Sequence, residues 1–151
     1  MGAIVALAML PDIPQLLPLI AWAATAGSLQ AIYDYASASP GTEPWLPPLV
    51  QVIVHHLHCI AHSAVVAGAV TLFVWRLRQR WLIPLLGWWS HIVIDVLTHS
   101  AEYYAVPVLY PFTDRGFDGI AWNTPWFMLV NYTALAAVWI FLWQRRKGWR
   151  P

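Results

Sequence analysis

The feature that most constrains the fold of this chain is a stretch of thirty residues, 46–75, that contains no Asp, Glu, Lys or Arg. A helix needs roughly 20 mainly apolar residues to cross a bilayer, so this stretch is long enough to span a membrane. The whole chain of 151 residues is also rich in apolar residues, which make up 60% of it, and only 10% of its residues are charged. This composition lies outside the range of ordinary soluble domains and indicates an integral membrane protein.

Four apolar segments predict an all-α polytopic membrane protein, a bundle of about four transmembrane helices that forms a single domain over residues 1–151. The first helix is predicted to be broken, because prolines flank its charged residue, Asp12. A cleaved signal peptide is the less favoured alternative, since the first residues carry no Lys or Arg. Before the last segment, an aromatic stretch interrupted by Pro and Gly predicts a structured loop. The predicted spans are residues 3–26, 49–75, 81–100 and 125–143.

The basic residues predict the orientation of these spans. Seven of the eight Lys and Arg residues lie in two clusters, 76–80 and 145–150. Four spans place both clusters on one side, which the positive-inside rule makes cytoplasmic. We therefore expect an inner (cytoplasmic) membrane protein with both termini in the cytoplasm. A net charge of +1 argues against nucleic acid as a partner and leaves the lipid bilayer, with a homo-oligomer also possible.

All six histidines lie inside two predicted spans, where polar groups are costly. At 100° per residue, three of them share one face of the second span, while His56 points away by about a quarter turn. The members of this first stripe are His55, His58 and His62. The members of a second stripe, on the third span, are His91, Asp95, His99 and Glu102. At about 1.5 Å of rise per residue, much of both stripes and Asp12 lie at overlapping depths, so they are expected to meet.

A divalent metal ion is the partner that such a cluster favours. A lone charge inside a bilayer costs at least ~2.5 kcal/mol, and several charges need a common counter-charge. Imidazole nitrogen and carboxylate oxygen suit zinc or another divalent transition metal, and ligands at i and i+4 can bind one ion from one helix face. We therefore predict one to three zinc ions. The predicted ligands are Asp12, His58, His62, His91, Asp95 and His99, with His55 and His56 as alternatives to His58.

Neighbouring polar groups are predicted to support these ligands, because ligating histidines usually donate their second N–H to an acceptor. The predicted supporting groups are Gln51, His55 and Ser63. Glu102 lies near the outer end of the third span and is predicted, with Asp95, to take part in catalysis by accepting a proton. The alternative is a bundle in which histidines and carboxylates pair with each other without metal. The single cysteine, Cys59, can form neither an internal disulfide nor a cysteine-based zinc knuckle.

Taken together, these residues resemble the YdjM-type family of inner-membrane metal-dependent hydrolases over most of the chain. The matching elements are Leu10-Pro11-Asp12, His62-Ser63, the segment 87–100 (GWWSHIVIDVLTHS) and Leu109-Tyr110-Pro111. The family is distantly similar to zinc-dependent phospholipases C and single-strand nucleases, so the resemblance implies phosphoester hydrolysis by zinc-activated water. Two departures are a missing Arg after the first histidine and a short segment before Pro11.

These observations predict a hydrolase acting on a lipid or lipid-linked phosphoester, with its site open toward the extracytoplasmic side. The aromatic loop is expected to cover the site. The aromatic residues of this loop are Tyr103, Tyr104, Tyr110, Phe112 and Trp122. Two alternatives from other classes are a metal or proton transporter with an intramembrane His/Asp site and a non-enzymatic membrane assembly protein.

Overall fold

A computed structural model describes residues 2–26, 30–38, 42, 44–102 and 105–148. The regular elements of this part of the chain are all helical, which confirms the predicted all-α class. Two compact units make up the chain, Met1–Gly119 and Ile120–Pro151. The α-helices are α1 (Gly2–Met9), α2 (Ile13–Ala26), α3 (Gln30–Ser37), α4 (Pro48–Ala61), α5 (Ala64–Leu77), α6 (Leu82–Thr98) and α7 (Pro125–Gly148).

Three stretches of helix are long and apolar enough to cross a membrane, namely Gly2–Thr25, Gln79–Thr98 and Pro125–Arg146. Helices α4 and α5 are too short individually, but together they pass the same test and make a fourth candidate if they form one bent span. These helices are compatible with the predicted polytopic membrane protein. The first candidate span is interrupted by a 3-10 turn at Leu10–Asp12, as the two flanking prolines predicted.

The second predicted span, residues 49–75, is not a continuous helix, because it divides into α4 and α5. The rings of His58 and His62, which precede the break, stack on one another. α4 and α5 meet at an angle of 55° at the pair His62-Ser63. Ser63 has an extended backbone (φ −81°, ψ 124°), and its Oγ accepts hydrogen bonds from the amides of Val65 and Val66. A serine that caps a new helix in this way competes with continuation of the preceding one.

Helix α1 lies against α6 at an unusually close approach. A Cβ atom added to the buried Gly87 would collide with the carbonyl oxygen of Ile4, so only glycine fits at this crossing. Farther along both segments, Asp12 lies beside Asp95. The two contacts show that α1 and α6 run in the same direction. This approach carries the 3-10 turn that follows α1 to the middle of α6.

Helix α2, the second half of the first candidate span, packs antiparallel to α4. Gln15 contacts His58 near the break between α4 and α5, while Leu19 packs with Val54 earlier in α4. Leu46, which precedes α4, completes this small buried core. The packing fixes α4 beside the first broken helix and brings its carboxyl-terminal end to the Leu10–Asp12 turn.

Two tryptophans and a loop hold the break between α4 and α5 in place. The indole N–H of Trp88 donates to the carbonyl oxygen of Ala61 at 2.7 Å, and that of Trp89 donates to Thr71 Oγ1 at 3.0 Å. From the loop after α6, the carbonyl oxygens of Val108 and Tyr110 accept from the backbone N–H of residue 64 (2.9 Å) and from the Ser63 hydroxyl (2.6 Å). The predicted structured loop therefore docks on the break.

Helix α7 belongs to the second unit and is apolar on all its sides. Large side chains around its circumference, including Leu129, Leu135 and Val138, are more than half exposed. A helix that is hydrophobic all round needs an apolar environment, either a protein core or a membrane. Helix α7 extends slightly beyond the predicted span 125–143, to Gly148.

Replacing Ser63 with alanine is expected to destabilise the protein by about 2–3 kcal/mol, because it removes a helix cap and a buried hydrogen bond together. Ser63 is fully buried, so water cannot replace its hydroxyl. Ser90→Ala is the matched control, since the exposed Ser90 hydroxyl donates only to the carbonyl oxygen of Gly87 in its own helix. Its expected effect is within about 0.5 kcal/mol. Denaturant unfolding in detergent measures both variants, and equal stabilities would contradict the proposed importance of the cap.

Candidate metal centre

Four of the six predicted metal ligands converge at one point in the first unit. Asp12 comes from the 3-10 turn before α2, His62 from the end of α4, and His91 and Asp95 from successive turns of α6. One donor atom of each lies within 4.8 Å of the donor atoms of the other three. The sequence places these residues up to 83 positions apart, and the two helix breaks and the α1–α6 contact bring them together.

The distances within this group match those expected between the ligands of a tetrahedral metal ion. His62 Nε2 lies 3.1 Å from both His91 Nε2 and Asp95 Oδ2, and His91 Nε2 lies 3.0 Å from Asp95 Oδ2. Asp12 Oδ1 lies 3.4 Å from His62 Nε2 and 3.6 Å from His91 Nε2. Ligands about 2.0 Å from a tetrahedral zinc ion are separated by about 3.3 Å. The four donors could therefore hold a single metal ion.

The hydrogen bonds of His62 also favour a cation between these groups. Its Nδ1 donates to the carbonyl oxygen of His58 at 2.9 Å, so Nε2 of the neutral ring carries a lone pair. That lone pair faces another imidazole nitrogen and two carboxylates. His62 Nε2 and the two carboxylates repel one another unless a proton, such as one on His91 Nε2, or a metal ion lies between them. Histidine and carboxylate are the donors that zinc and similar ions prefer.

The centre is open on one side only, as judged from the exposure of its four side chains. The side chain of His62 is 1% exposed, and those of His91 and Asp95 are 12% and 13% exposed. Asp12 is 54% exposed and therefore marks the open side. The Asp12 carboxylate is therefore the most accessible of the four donors.

His58, a predicted ligand, lies next to the centre but outside the group of four. Its ring stacks on that of His62 with centroids 4.2 Å apart, and its Nδ1 donates to Gln15 Oε1 at 3.1 Å. His58 thus supports His62 through both its ring and its carbonyl oxygen. Gln15 is a supporting residue that the sequence analysis missed, although its position one turn after Asp12 was a usable signal.

The predicted stripe on α6 ends before its last two members because the helix ends at Thr98. His99 caps the helix, and its Nδ1 donates to the carbonyl oxygen of Asp95 at 3.0 Å. Glu102 lies in the following turn and is exposed. Neither residue belongs to the group of four donors. The predicted catalytic role of Glu102 stays a prediction.

The remaining predicted residues lie along α4 and in the loop. Gln51, His55 and His56 line a cavity of about 380 Å³ beside His58. His56 Nδ1 forms a hydrogen bond of 3.2 Å with the Tyr110 hydroxyl, which adds a contact between the loop and α4. The Ser63 hydroxyl forms hydrogen bonds with backbone groups, at the start of α5 and in the loop. Of the aromatic loop residues, Tyr103 and Tyr104 lie outside the described residues, Phe112 is exposed, and Trp122 belongs to the second unit.

In comparisons with known proteins, no family model, no curated protein and no solved structure matched this chain. The resemblance to the YdjM-type hydrolases therefore stays a prediction from the motifs. The function has to be argued from the geometry of the centre.

Proposed function

We propose that this protein is a membrane-embedded, metal-dependent hydrolase that binds zinc at Asp12, His62, His91 and Asp95. The observation that carries the proposal is the set of donor distances between 3.0 and 3.6 Å in a site built from three separate elements. Hydrogen bonds between helices need only pairs of polar groups, whereas here one ligand atom from each of four side chains lies within 4.8 Å of the other three. Because four protein ligands fill a tetrahedral zinc site, hydrolysis would require the exposed Asp12 carboxylate to give up its position or a fifth position to open. A zinc ion held in this way would supply Lewis-acid activation of water and offset the charge of an attacked phosphoryl group.

The residues of this chain would orient the site and control access to it. The Nδ1–H of His62 donates to the carbonyl oxygen of His58, which holds its ring with Nε2 directed at the centre. Asp95 Oδ2 contacts both imidazoles and carries negative charge at the buried side of the centre. Asp12 lies at the open side, where the substrate would enter and where its carboxylate would face the attacking water.

The surroundings of the centre favour a lipid or lipid-linked phosphoester as the substrate. The cavity of about 380 Å³ has apolar side chains in its wall and polar groups at the end next to the centre. Its apolar wall includes Leu46, Val52 and Val54, and its polar residues include Gln15 and His58. A molecule with an apolar chain and a polar head matches this lining. His58, which lines the cavity, stacks on His62 with ring centroids 4.2 Å apart, so the cavity adjoins the metal centre.

We also propose that α4 and α5 form one broken span in an inner membrane, with both termini in the cytoplasm. A bend of 55° changes the helix direction by far less than the reversal that a re-entrant hairpin requires. The parallel contact of α1 with α6 then puts the start of α1 at the same face as Arg78 and Arg80. The open side of the centre would lie toward the extracytoplasmic side.

The purified full-length protein, loaded with zinc in mild detergent, is expected to hydrolyse a phosphodiester bond in mixed phospholipid micelles. Release of the water-soluble headgroup phosphate and of a chromogenic aryl phosphodiester would be measured in parallel. His62→Ala is expected to reduce either rate by at least about 100-fold, because it removes a donor from the buried side of the centre. Chelation should abolish the activity of the wild-type protein, and added zinc should restore it. Added zinc should not restore activity to His62→Ala.

Asp34→Asn is the control for this experiment, because Asp34 lies in an exposed pair with Gln30 on α3, outside both the group of four donors and the cavity lining. It should retain zinc and most of its rate. Zinc-loaded, folded wild-type protein that hydrolyses none of the phosphoesters would contradict the hydrolase proposal while leaving the metal site intact. Equal rates in wild type and His62→Ala would show that the activity comes from elsewhere.

A further inference from the structure

A second group of metal-ligating side chains lies on a neighbouring face of α4. His55 and Cys59 are one helical turn apart, and Asp114 approaches them from the loop that docks on the α4–α5 break. One donor atom of each lies within 4.8 Å of the other two. None of the three belongs to the centre formed by Asp12 and its partners, so the two groups share no ligand.

The geometry of the pair on α4 is that of two ligands of one ion. His55 Nε2 lies 3.5 Å from Cys59 Sγ. Zinc bonds of about 2.0–2.1 Å to nitrogen and about 2.3 Å to sulfur give a separation of about 3.5 Å in a tetrahedral site. The i, i+4 spacing on a helix holds both side chains in this arrangement without strain.

The three side chains offer three different ligand types, and this combination favours some metal ions over others. A thiolate is a soft ligand that favours zinc and other thiophilic ions over magnesium or calcium, while imidazole and carboxylate complete a donor set typical of zinc. Cys59 is fully buried and, as the single cysteine of the chain, has no internal disulfide partner. His55 and Asp114 are exposed and His55 lines the cavity, so an ion can reach the group from that side.

We propose that His55, Cys59 and Asp114 form a second metal site, which binds one thiophilic divalent cation of the zinc class. Three protein ligands leave a fourth position open toward water or a small ligand. Binding there would connect the loop around Asp114 to α4, in addition to the hydrogen bond between Tyr110 and His56. This inference does not depend on the proposed hydrolase activity.

Cobalt(II) binding to the metal-free, full-length protein in mild detergent tests the second site directly, because a cobalt–thiolate bond produces a charge-transfer absorption in the near ultraviolet. The wild-type protein is expected to show this absorption, and Cys59→Ser is expected to lose it. Asp95→Asn should keep it, because Asp95 lies in the other centre. Cobalt-loaded, folded wild-type protein without the charge-transfer absorption would overturn the proposal, even where the ligand-field bands of the first centre appear.

A second variant keeps the test valid if the buried cysteine cannot be replaced without unfolding. Asp114 is exposed, and Asp114→Asn is expected to weaken cobalt binding at the thiolate site by more than about 10-fold, measured by titrating the charge-transfer absorption. Asp118→Asn is the control in the same loop, since Asp118 Oδ1 accepts from the amide of Ala101 and lies outside the group. Equal cobalt affinity at the thiolate site in Asp114→Asn and the wild type would also overturn the assigned ligand set.

Discussion

Asp95→Asn is expected to weaken zinc binding by more than about 100-fold, a larger loss than the 10–100-fold typical of outer partners of a metal ligand. The carboxylate of Asp95 contacts both imidazoles of the centre, at 3.1 Å from His62 and 3.0 Å from His91. An asparagine of the same size keeps the packing but loses the negative charge and one good donor oxygen. Zinc titration against a competing chelator measures the change. A parallel titration with cobalt distinguishes the two sites, because only the second site gives a cobalt–thiolate absorption.

Thermal unfolding distinguishes this account from a bundle held by hydrogen bonds alone. Zinc at 1,000 times its dissociation constant should stabilise the wild-type protein by about 4 kcal/mol through mass action, and Asp95→Asn should lose most of this gain. Asp34→Asn on α3 is the control, because Asp34 lies in an exposed pair with Gln30. A different result would contradict the metal site: zinc leaves the stability of both the wild type and Asp95→Asn unchanged, and Asp95→Asn is the less stable of the two in chelator. The Asp95 carboxylate would then act as an ion-pair partner without metal.

Gly87→Ala is expected to destabilise the protein by about 3 kcal/mol, at the upper end of the cost of overpacking, and to weaken zinc binding as well. A methyl group at this position would collide with the carbonyl oxygen of Ile4 and lie 3.0 Å from the amide nitrogen of Ala8. Both obstacles are backbone atoms, so α1 itself would have to move away from α6. Asp12 follows α1 directly and would move with it. Denaturant unfolding and zinc titration measure the two effects.

Gly68→Ala is the matched control for this variant. Gly68 lies inside α5, and a Cβ atom added there meets nothing within 4 Å. Alanine should therefore stabilise the helix by up to about 1 kcal/mol and leave zinc binding unchanged. If Gly87→Ala has the same small effect as Gly68→Ala, the α1–α6 contact does not position Asp12 as described.

Much of this fold could be predicted from hydropathy and prolines, because both act locally along the chain. The uncharged stretches marked the apolar helices, and the prolines around Asp12 marked the 3-10 turn. The break at His62-Ser63 could not be predicted in the same way. It depends on a hydroxyl that caps α5 while also donating to the distant carbonyl oxygen of Tyr110, a contact that local sequence does not specify.

The membership of the centre was predicted in part, for a related reason. Helical periodicity placed His91 and Asp95 on one face of α6, and depth counting added Asp12 and His62. The same periodicity also included His58, which lies inside α4, and His99, which lies just beyond the end of α6. Where α4 and α6 end, the ring of His58 stacks on His62 and the ring of His99 turns back to its own helix. Periodicity finds a face, but tertiary contacts decide which members of that face meet.

The metal content of the protein tests the central claim most directly. The protein would be purified in mild detergent without added metal, reconstituted with zinc and measured by mass spectrometry beside a His91→Ala/Asp95→Ala variant with intact helical circular dichroism. We expect at least one tightly bound equivalent of zinc in the wild type and one equivalent less in the variant. A folded wild-type protein that binds no metal after reconstitution, or a variant that keeps the full wild-type zinc content, would contradict the metal centre at Asp12, His62, His91 and Asp95.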